Sequence, residues 1–420
     1  MKSWQIRIVV TLYFLGVFFT NKPKLLIYGW IMTGLLFLAF ILDMDRVRKF
    51  DFKENVFGNR MLLLALVGFF SVAWAPDPER SLWHIEVILV SIAASFVLYY
   101  FFVTYELLNL FVYVFLFYSF VNYSLALKLP YFHFLLNLHE SYRFIGTELN
   151  PNGLAVALIS SMFLSFWYLQ ERVKRSSAIV IVHLVSIILA VYTIILTASR
   201  KGILFGSLLI ILFLVLNYSK WIWIIKRYYI YISILTIVIS IMNFEGIKKN
   251  IEKPLDRFIS LFETVKGGAE EGSSNARVRF VKNGWKGFKE QPWIGHGADS
   301  FRYYNVLYAH NNYIELLFDL GIIGPIIYYS IHFQIIRRLF RFRTGMFISA
   351  FVFVLMLMDV AYVSYSEKRN MMILVVVIVA VKKKIEELQL DGFLEIQDSE
   401  IYNSEKKVEP SGIDFSRGLV

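Results

Sequence analysis

The chain has 420 residues, 57% of them hydrophobic and 17% aromatic, with a mean hydropathy of +0.58. Soluble domains carry about 45–50% apolar residues, so this composition excludes an ordinary soluble protein and predicts a polytopic membrane protein. The formal net charge of +11 belongs to loops that meet anionic lipid headgroups, which argues against nucleic-acid binding, and the absence of cysteine excludes disulfides and Cys-based metal or redox chemistry.

In chain order, hydropathy predicts twelve spans, at 6–20, 25–42, 61–75, 83–103, 107–127, 152–169, 178–197, 202–217, 228–243, 312–335, 346–363 and 370–381. Several are shorter than the ~20 residues of a perpendicular helix, the last most of all. The N-terminus pairs a small basic region with an apolar run and has no small-residue cleavage site before Asn21-Lys-Pro-Lys24, so it reads as an uncleaved first span. Short loops alternate in basic charge. The rich set holds Arg46, Arg48 and Lys49, then Arg172, Lys174 and Arg175, then Lys220, Lys226 and Arg227, then Arg337, Arg338, Arg341 and Arg343. The positive-inside bias therefore predicts cytoplasmic termini and an outer location for the segment between 243 and 312. The expected organisation is transmembrane helices over 1–243, an extracytoplasmic (periplasmic) loop with short amphipathic helices over 244–311, three more transmembrane helices over 312–381, and a polar cytoplasmic tail over 382–420 that begins as a helix.

Candidate chemistry concentrates in the hydrophilic island from Asn243 to Asn312, since loops of this length usually carry function or disorder. His310 precedes Asn311, and Asn312 with Glu315 forms an Asn-x-x-Glu capping arrangement, so a helix is expected to start near Asn312. The positive end of that helix favours a neutral imidazole, able to accept a proton from a hydroxyl. The competing reading is a residue that only caps or anchors the helix. Residues 275–291 read as an amphipathic helix, with Val278, Val281, Trp285 and Phe288 on one face and Lys282, Lys286 and Lys289 on another. Such a helix can lie with its apolar face in the lipid. Arg277 falls in its first turn, where free backbone N–H groups beside a guanidinium suit a phosphate; the alternative is a solvated surface arginine, with Arg279 in reserve if the register is off by two. Arg200 closes Thr197-Ala-Ser-Arg-Lys-Gly202 at the outer mouth of the seventh span, where basic residues often snorkel, as Lys201 is expected to do. Arg143, ahead of Asn150-Pro-Asn152, reads either as a phosphate or sugar ligand or as part of a positioned loop.

Other signals carry less. Gly295-His-Gly297 has no Rossmann context and reads as a tight turn. His139-Glu140 lacks a second His at the spacing of a zinc helix. His183, Glu86 and Asp359 fall within or near spans, where polar groups usually face the bundle interior.

The order of parts, Arg277 followed by Pro292-x-x-Gly295-x-Gly297, then His310-Asn311 and a helix ending near Gly321-x-x-Gly324, resembles the O-antigen ligase and O-antigen polymerase superfamily. The resemblance implies an all-α, GT-C-like membrane glycosyltransferase that moves glycan from an undecaprenyl-pyrophosphate donor to a sugar hydroxyl at the outer face of the bacterial plasma membrane. It implies that Arg200, in a Thr-x-Ser-Arg motif, and Arg277 bind the donor pyrophosphate, Arg200 through the planar fork that lysine lacks. His310 then serves as general base in a single inverting displacement. The outer turn from Trp74 to Arg80 is assigned positioning only. With no Asp-x-Asp pair or outer acidic cluster, no metal or other cofactor is expected. The implied partners are the lipid-linked oligosaccharide donor, a glycan acceptor, membrane lipids, and a flippase and chain-length regulator. Polymerisation of repeat units and ligation to lipid A-core both fit these motifs. A twelve-span transporter or flippase is the reading from another class, and the outer long loop and the lack of half-to-half similarity weigh against it.

Overall fold

The computed structural model describes residues 2–19, 26–53, 55–127, 144–148, 150–172, 177–218, scattered positions between 222 and 237, 273–339 and 345–390. Among the described residues the structure is helical, with no strand. The main helices are α1 (Ser3–Phe19), α2 (Leu26–Leu42), α3 (Val56–Ser71), α4 (Pro78–Thr104), α5 (Leu108–Ala126), α6 (Pro151–Arg172), α7 (Ser177–Leu196) and α8 (Arg200–Leu216). They are followed by α9 (Ser273–Glu290), α10 (Ser300–Asn305), α11 (Asn312–Leu320), α12 (Ile323–Leu339), α13 (Met346–Met358) and α14 (Lys368–Leu390). Five helical stretches, in α3 to α7, are long and apolar enough to cross a membrane, and α1, α2 and α13 supply shorter apolar helices. The protein is a helical membrane protein. Most of the span expected over 228–243, and the tail beyond 390, lie outside the described residues.

The last helix differs most from its expected role. Its apolar run looked too short for a comfortable span, yet every residue from Met371 to Val381 is buried. A helix that is apolar on all sides belongs inside a protein, and α14 packs against α4, α1, α3, α5 and α12. Elsewhere in the bundle, helices are locked by aromatic layers. Phe163 of α6 stacks on Phe351 of α13 at 3.7 Å between ring centroids, and Phe166 stacks on Phe213 of α8 at 4.2 Å. At the N-terminal end of α14, Arg369 forms a buried ion pair with Glu148, which also accepts a hydrogen bond from Tyr118.

One expectation about residues 273–339 needs correction. The single span expected over 312–335 is two helices, α11 and α12, separated at Gly321-Ile322. The amphipathic helix α9 packs on α11 through its glycines and leaves the apolar face expected to meet lipid exposed. Val278, Val281 and Trp285 are 51%, 39% and 47% exposed, whereas Phe280, Gly284 and Gly287 are buried. A Cβ at Gly284 or Gly287 would run into Ile314 or Phe318 of α11. Glycine contributes little to an apolar pattern but lets two helices approach closely, so the close-packed face is the one lacking side chains.

Candidate functional site

Residues 292–297 are built onto the end of α11 by backbone hydrogen bonds. His296 N–H donates to the Phe318 carbonyl at 2.9 Å, Gly297 N–H to the Asp319 carbonyl at 2.8 Å, and Ile322 N–H to the Pro292 carbonyl at 2.9 Å. The segment Pro292–Gly297 thereby satisfies carbonyls that the end of α11 leaves open, which is why one expected span becomes two helices. Gly295 and Gly321 both have positive φ, and a Cβ at either would strike the opposing backbone, at Asp319 and at Trp293 respectively. From the other side, the turn between α3 and α4 grips the same segment. Trp74 Nε1 donates to the Gly295 carbonyl at 3.0 Å, Ser81 Oγ to the Ala298 carbonyl at 2.6 Å, and Arg80 Nε pairs with Asp299 at 2.7 Å.

Two buried carboxylates of α11 hold the rest of the loop. Asp319 accepts from Phe301 N–H at 2.8 Å, and Glu315 accepts from Ala309 N–H at 2.7 Å. The second contact fixes the residue beside His310. His310 itself sits at φ 55°, in the left-handed region that non-glycine residues avoid unless their surroundings hold them there. Its ring packs on Tyr308, with centroids 4.0 Å apart, and lies over Phe280 of α9 at 6.4 Å. Tyr308 lies beneath the Arg302 guanidinium at 5.4 Å, and Arg302 Nε reaches Asp299 at 3.3 Å. Among the described residues no hydrogen bond to the His310 ring is found.

The capping residue is Asn311, one position earlier than expected. Its side chain accepts from Ile314 N–H at 3.1 Å. Asn312 is fully buried and uses its amide elsewhere. Its Oδ1 accepts from the backbone N–H groups of Ser364 and Tyr365 at 2.9 and 3.1 Å. Its Nδ2 donates to Tyr329 Oη at 3.0 Å and to Asp359 Oδ2 at 3.2 Å. Sequence reasoning missed this role, because a cap and a buried amide look alike before the chain folds. The flagged acid Asp359 was the available signal, since a carboxylate near a span requires a partner.

Electrostatics link Arg277 to two of the other expected residues. Burial, followed by the charges of Arg277 and Lys201, pushes the His310 imidazole down to about 4 from its ordinary value near 6.5. Burial and the charge of Arg277 likewise lower the Arg200 guanidinium. Arg277 thus lies within electrostatic reach of both Arg200 and His310. Burial and cationic neighbours, where a helix dipole was anticipated, are what favour the neutral imidazole. Lys201 does not snorkel. Its ammonium donates to the Ala361 carbonyl and lies over the Tyr362 ring at 5.1 Å. Ser199 caps α8 by accepting from Gly202 N–H at 3.2 Å, and its hydroxyl donates to Asn152 at 2.9 Å. Arg279 is exposed, its guanidinium over the Phe280 ring at 5.9 Å. Arg143 lies outside the described residues; the chain just after it is tied to α7 by Phe144 N–H donating to the Leu196 carbonyl at 3.2 Å.

Comparison with known proteins places this geometry. Teichuronic acid biosynthesis protein TuaE of Bacillus subtilis (strain 168) is 27% identical over 209 residues, a match that covers 46% of this chain and 40% of that protein. The aligned part thus spans less than half of either protein. The family model described as O-antigen ligase matches residues 185–329, a stretch that includes Arg200, Arg277 and His310 and excludes the Asp359–Tyr365 turn. Over residues 185–329 this membrane protein is therefore similar to the O-antigen ligase family.

Proposed function

We propose that the protein is a membrane glycosyltransferase of cell-surface glycan biosynthesis. It transfers an undecaprenyl-pyrophosphate-linked glycan to a sugar hydroxyl at the outer face of the plasma membrane, with both termini in the cytoplasm, and polymerises repeat units of an O-antigen, capsule or exopolysaccharide. What supports the reading is that Arg200, Arg277 and His310 all fall within the matched family segment, with Arg277 close enough to act electrostatically on the other two. The two guanidiniums hold the donor pyrophosphate and stabilise its charge as the glycosidic bond breaks. His310 takes the proton from the acceptor hydroxyl as that oxygen attacks the anomeric carbon, and the configuration inverts. A flippase would deliver the donor and a chain-length regulator would set the product size. The description of the matched family favours a second reading, ligation of finished polysaccharide to lipid A-core.

His310→Ala tests both readings. Loss of the proton acceptor lowers transfer by about 10²–10⁴-fold while donor binding stays near the parental level. In cells, a polymerase variant leaves surface glycan capped by a single repeat unit, whereas a ligase variant accumulates long polymer on the undecaprenyl carrier. Arg200→Lys and Arg277→Lys lose most activity although the charge is kept, because an ammonium cannot form a bidentate fork. Parental surface glycan in all three strains overturns the assignment.

A further inference from the structure

The connection between α13 and α14 lies outside the matched family segment, yet it touches α4, α8, α11 and α12. Lys201, next to Arg200, donates to the Ala361 carbonyl. Tyr365 Oη meets His84 Nε2 at 3.1 Å, and His84 Nδ1 lies 3.9 Å from Asp299. Tyr328 Oη contacts Ser364 Oγ at 2.9 Å. The centre of this connection is Asn312, two residues after His310, whose amide makes the four hydrogen bonds described above. A primary amide offers two donors and an acceptor with two lone pairs, so each hydrogen-bonding site of Asn312 is in use.

The orientation of that amide is dictated by its surroundings. Two backbone N–H groups require an acceptor on one side, and the Asp359 carboxylate requires a donor on the other. Only an amide in one orientation satisfies both, and Asn312 is 0% exposed, so water cannot take the place of a missing bond. The strained backbone at His310 stands between this pin and the Glu315–Ala309 bond on its other side.

We propose that Asn312 is a positioning residue which, paired with Asp359, locks the His310 loop to the α13–α14 turn and so holds the proton acceptor in register with the cations at the start of α8. The catalytic part of this inference rests on the glycosyltransferase reading, whereas the pinning itself does not. Asn312→Asp keeps the shape and the acceptor but replaces the donor with a second carboxylate facing Asp359. The pair then repels, and the loop shifts relative to α8. A displacement of about 1 Å in a reacting group can cost about 10²-fold in rate. The exchange Asn312→Asp with Asp359→Asn restores one donor and one carboxylate with their places reversed.

The full-length protein in liposomes provides the test. Because the chain has no cysteine, spin labels can be placed uniquely at Leu204→Cys on α8 and Tyr304→Cys on α10, both more than half exposed. The expected result is a narrow distance distribution in the parental background, a broadened or shifted one with Asn312→Asp, and a narrow one again in the double exchange. Transfer should follow the same order, with kcat falling about 10²-fold in the single variant, KM for the lipid-linked donor little changed, and both recovering in the exchange. An unchanged distance distribution in Asn312→Asp, or an exchange variant that folds to parental yield without recovering, overturns the proposal. If His310→Ala leaves transfer intact, the glycosyltransferase reading fails and the label distances still decide the pinning.

Discussion

α11 and α14 are both buried helices, and they are buried for opposite reasons. From Met371 to Val381, α14 offers only apolar side chains and is enclosed by its neighbours. In its nine residues α11 buries Asn312, Glu315 and Asp319, each 0% exposed. Burying such groups is unfavourable unless they are paired, and in α11 each serves a different piece of chain: Asn312 the 359–365 turn, Glu315 the Ala309 backbone, Asp319 the start of α10. The apolar helix stabilises the bundle and specifies little about the site. The polar helix contributes less burial and places every loop that surrounds His310.

Truncation of each helix sharpens the contrast. Leu374→Ala in α14 should destabilise the protein by about 2–5 kcal/mol through lost packing, while the transfer rate of the folded fraction stays near parental. Asp319→Ala in α11 should cost less, about 1–3 kcal/mol for the unpaired Phe301 N–H, yet reduce transfer strongly because the 299–310 loop loses its anchor. Thermal unfolding in detergent together with rates normalised to folded protein checks both, and equal rate losses would erase the distinction.

The charge around His310 gives the next effect. A histidine lowered to about 4 is neutral from pH 5 upward, and it becomes protonated, losing its basic function, only as pH falls through about 4. In the free protein the acid limb of kcat/KM should therefore lie near 4, well below the ordinary histidine value. A bound pyrophosphate offsets the positive charges of Arg277 and Lys201, which favours the imidazolium and raises the limb seen in kcat. A pH–rate series that places both limbs at 6.5 would remove the electrostatic link between the arginines and His310. The smallest effect is expected at Arg279, whose guanidinium is exposed. Arg279→Ala should change stability by less than about 0.5 kcal/mol and leave transfer unchanged, and a large loss would mean that the register assigned to Arg277 is wrong.

The apolar runs located nearly every described helix, because burial of backbone in lipid or in a bundle demands long apolar segments wherever they end up. The motif residues Arg200, Arg277 and His310 were also legible, since their types and order are local properties of the chain. Other features were visible only as ambiguous marks. Asn311 and Asn312 are adjacent and chemically identical, and which one caps α11 depends on the 359–365 turn that claims the other. Val278, Val281 and Trp285 marked the apolar face of α9, but nothing in the pattern marked Gly284 and Gly287 as the face that fits against α11.

The sequence by itself determined that this is a helical membrane protein with a polar island carrying a histidine and arginines. Those conclusions rest on composition, period and local order. The tertiary structure alone decided that α14 is the core, that Asn311 and not Asn312 caps α11, that Lys201 turns inward and that the α13–α14 turn braces α11. Each of these depends on which distant backbone donors and acceptors meet once the helices pack, and a hydrogen bond between residues tens of positions apart leaves no periodic trace along the chain.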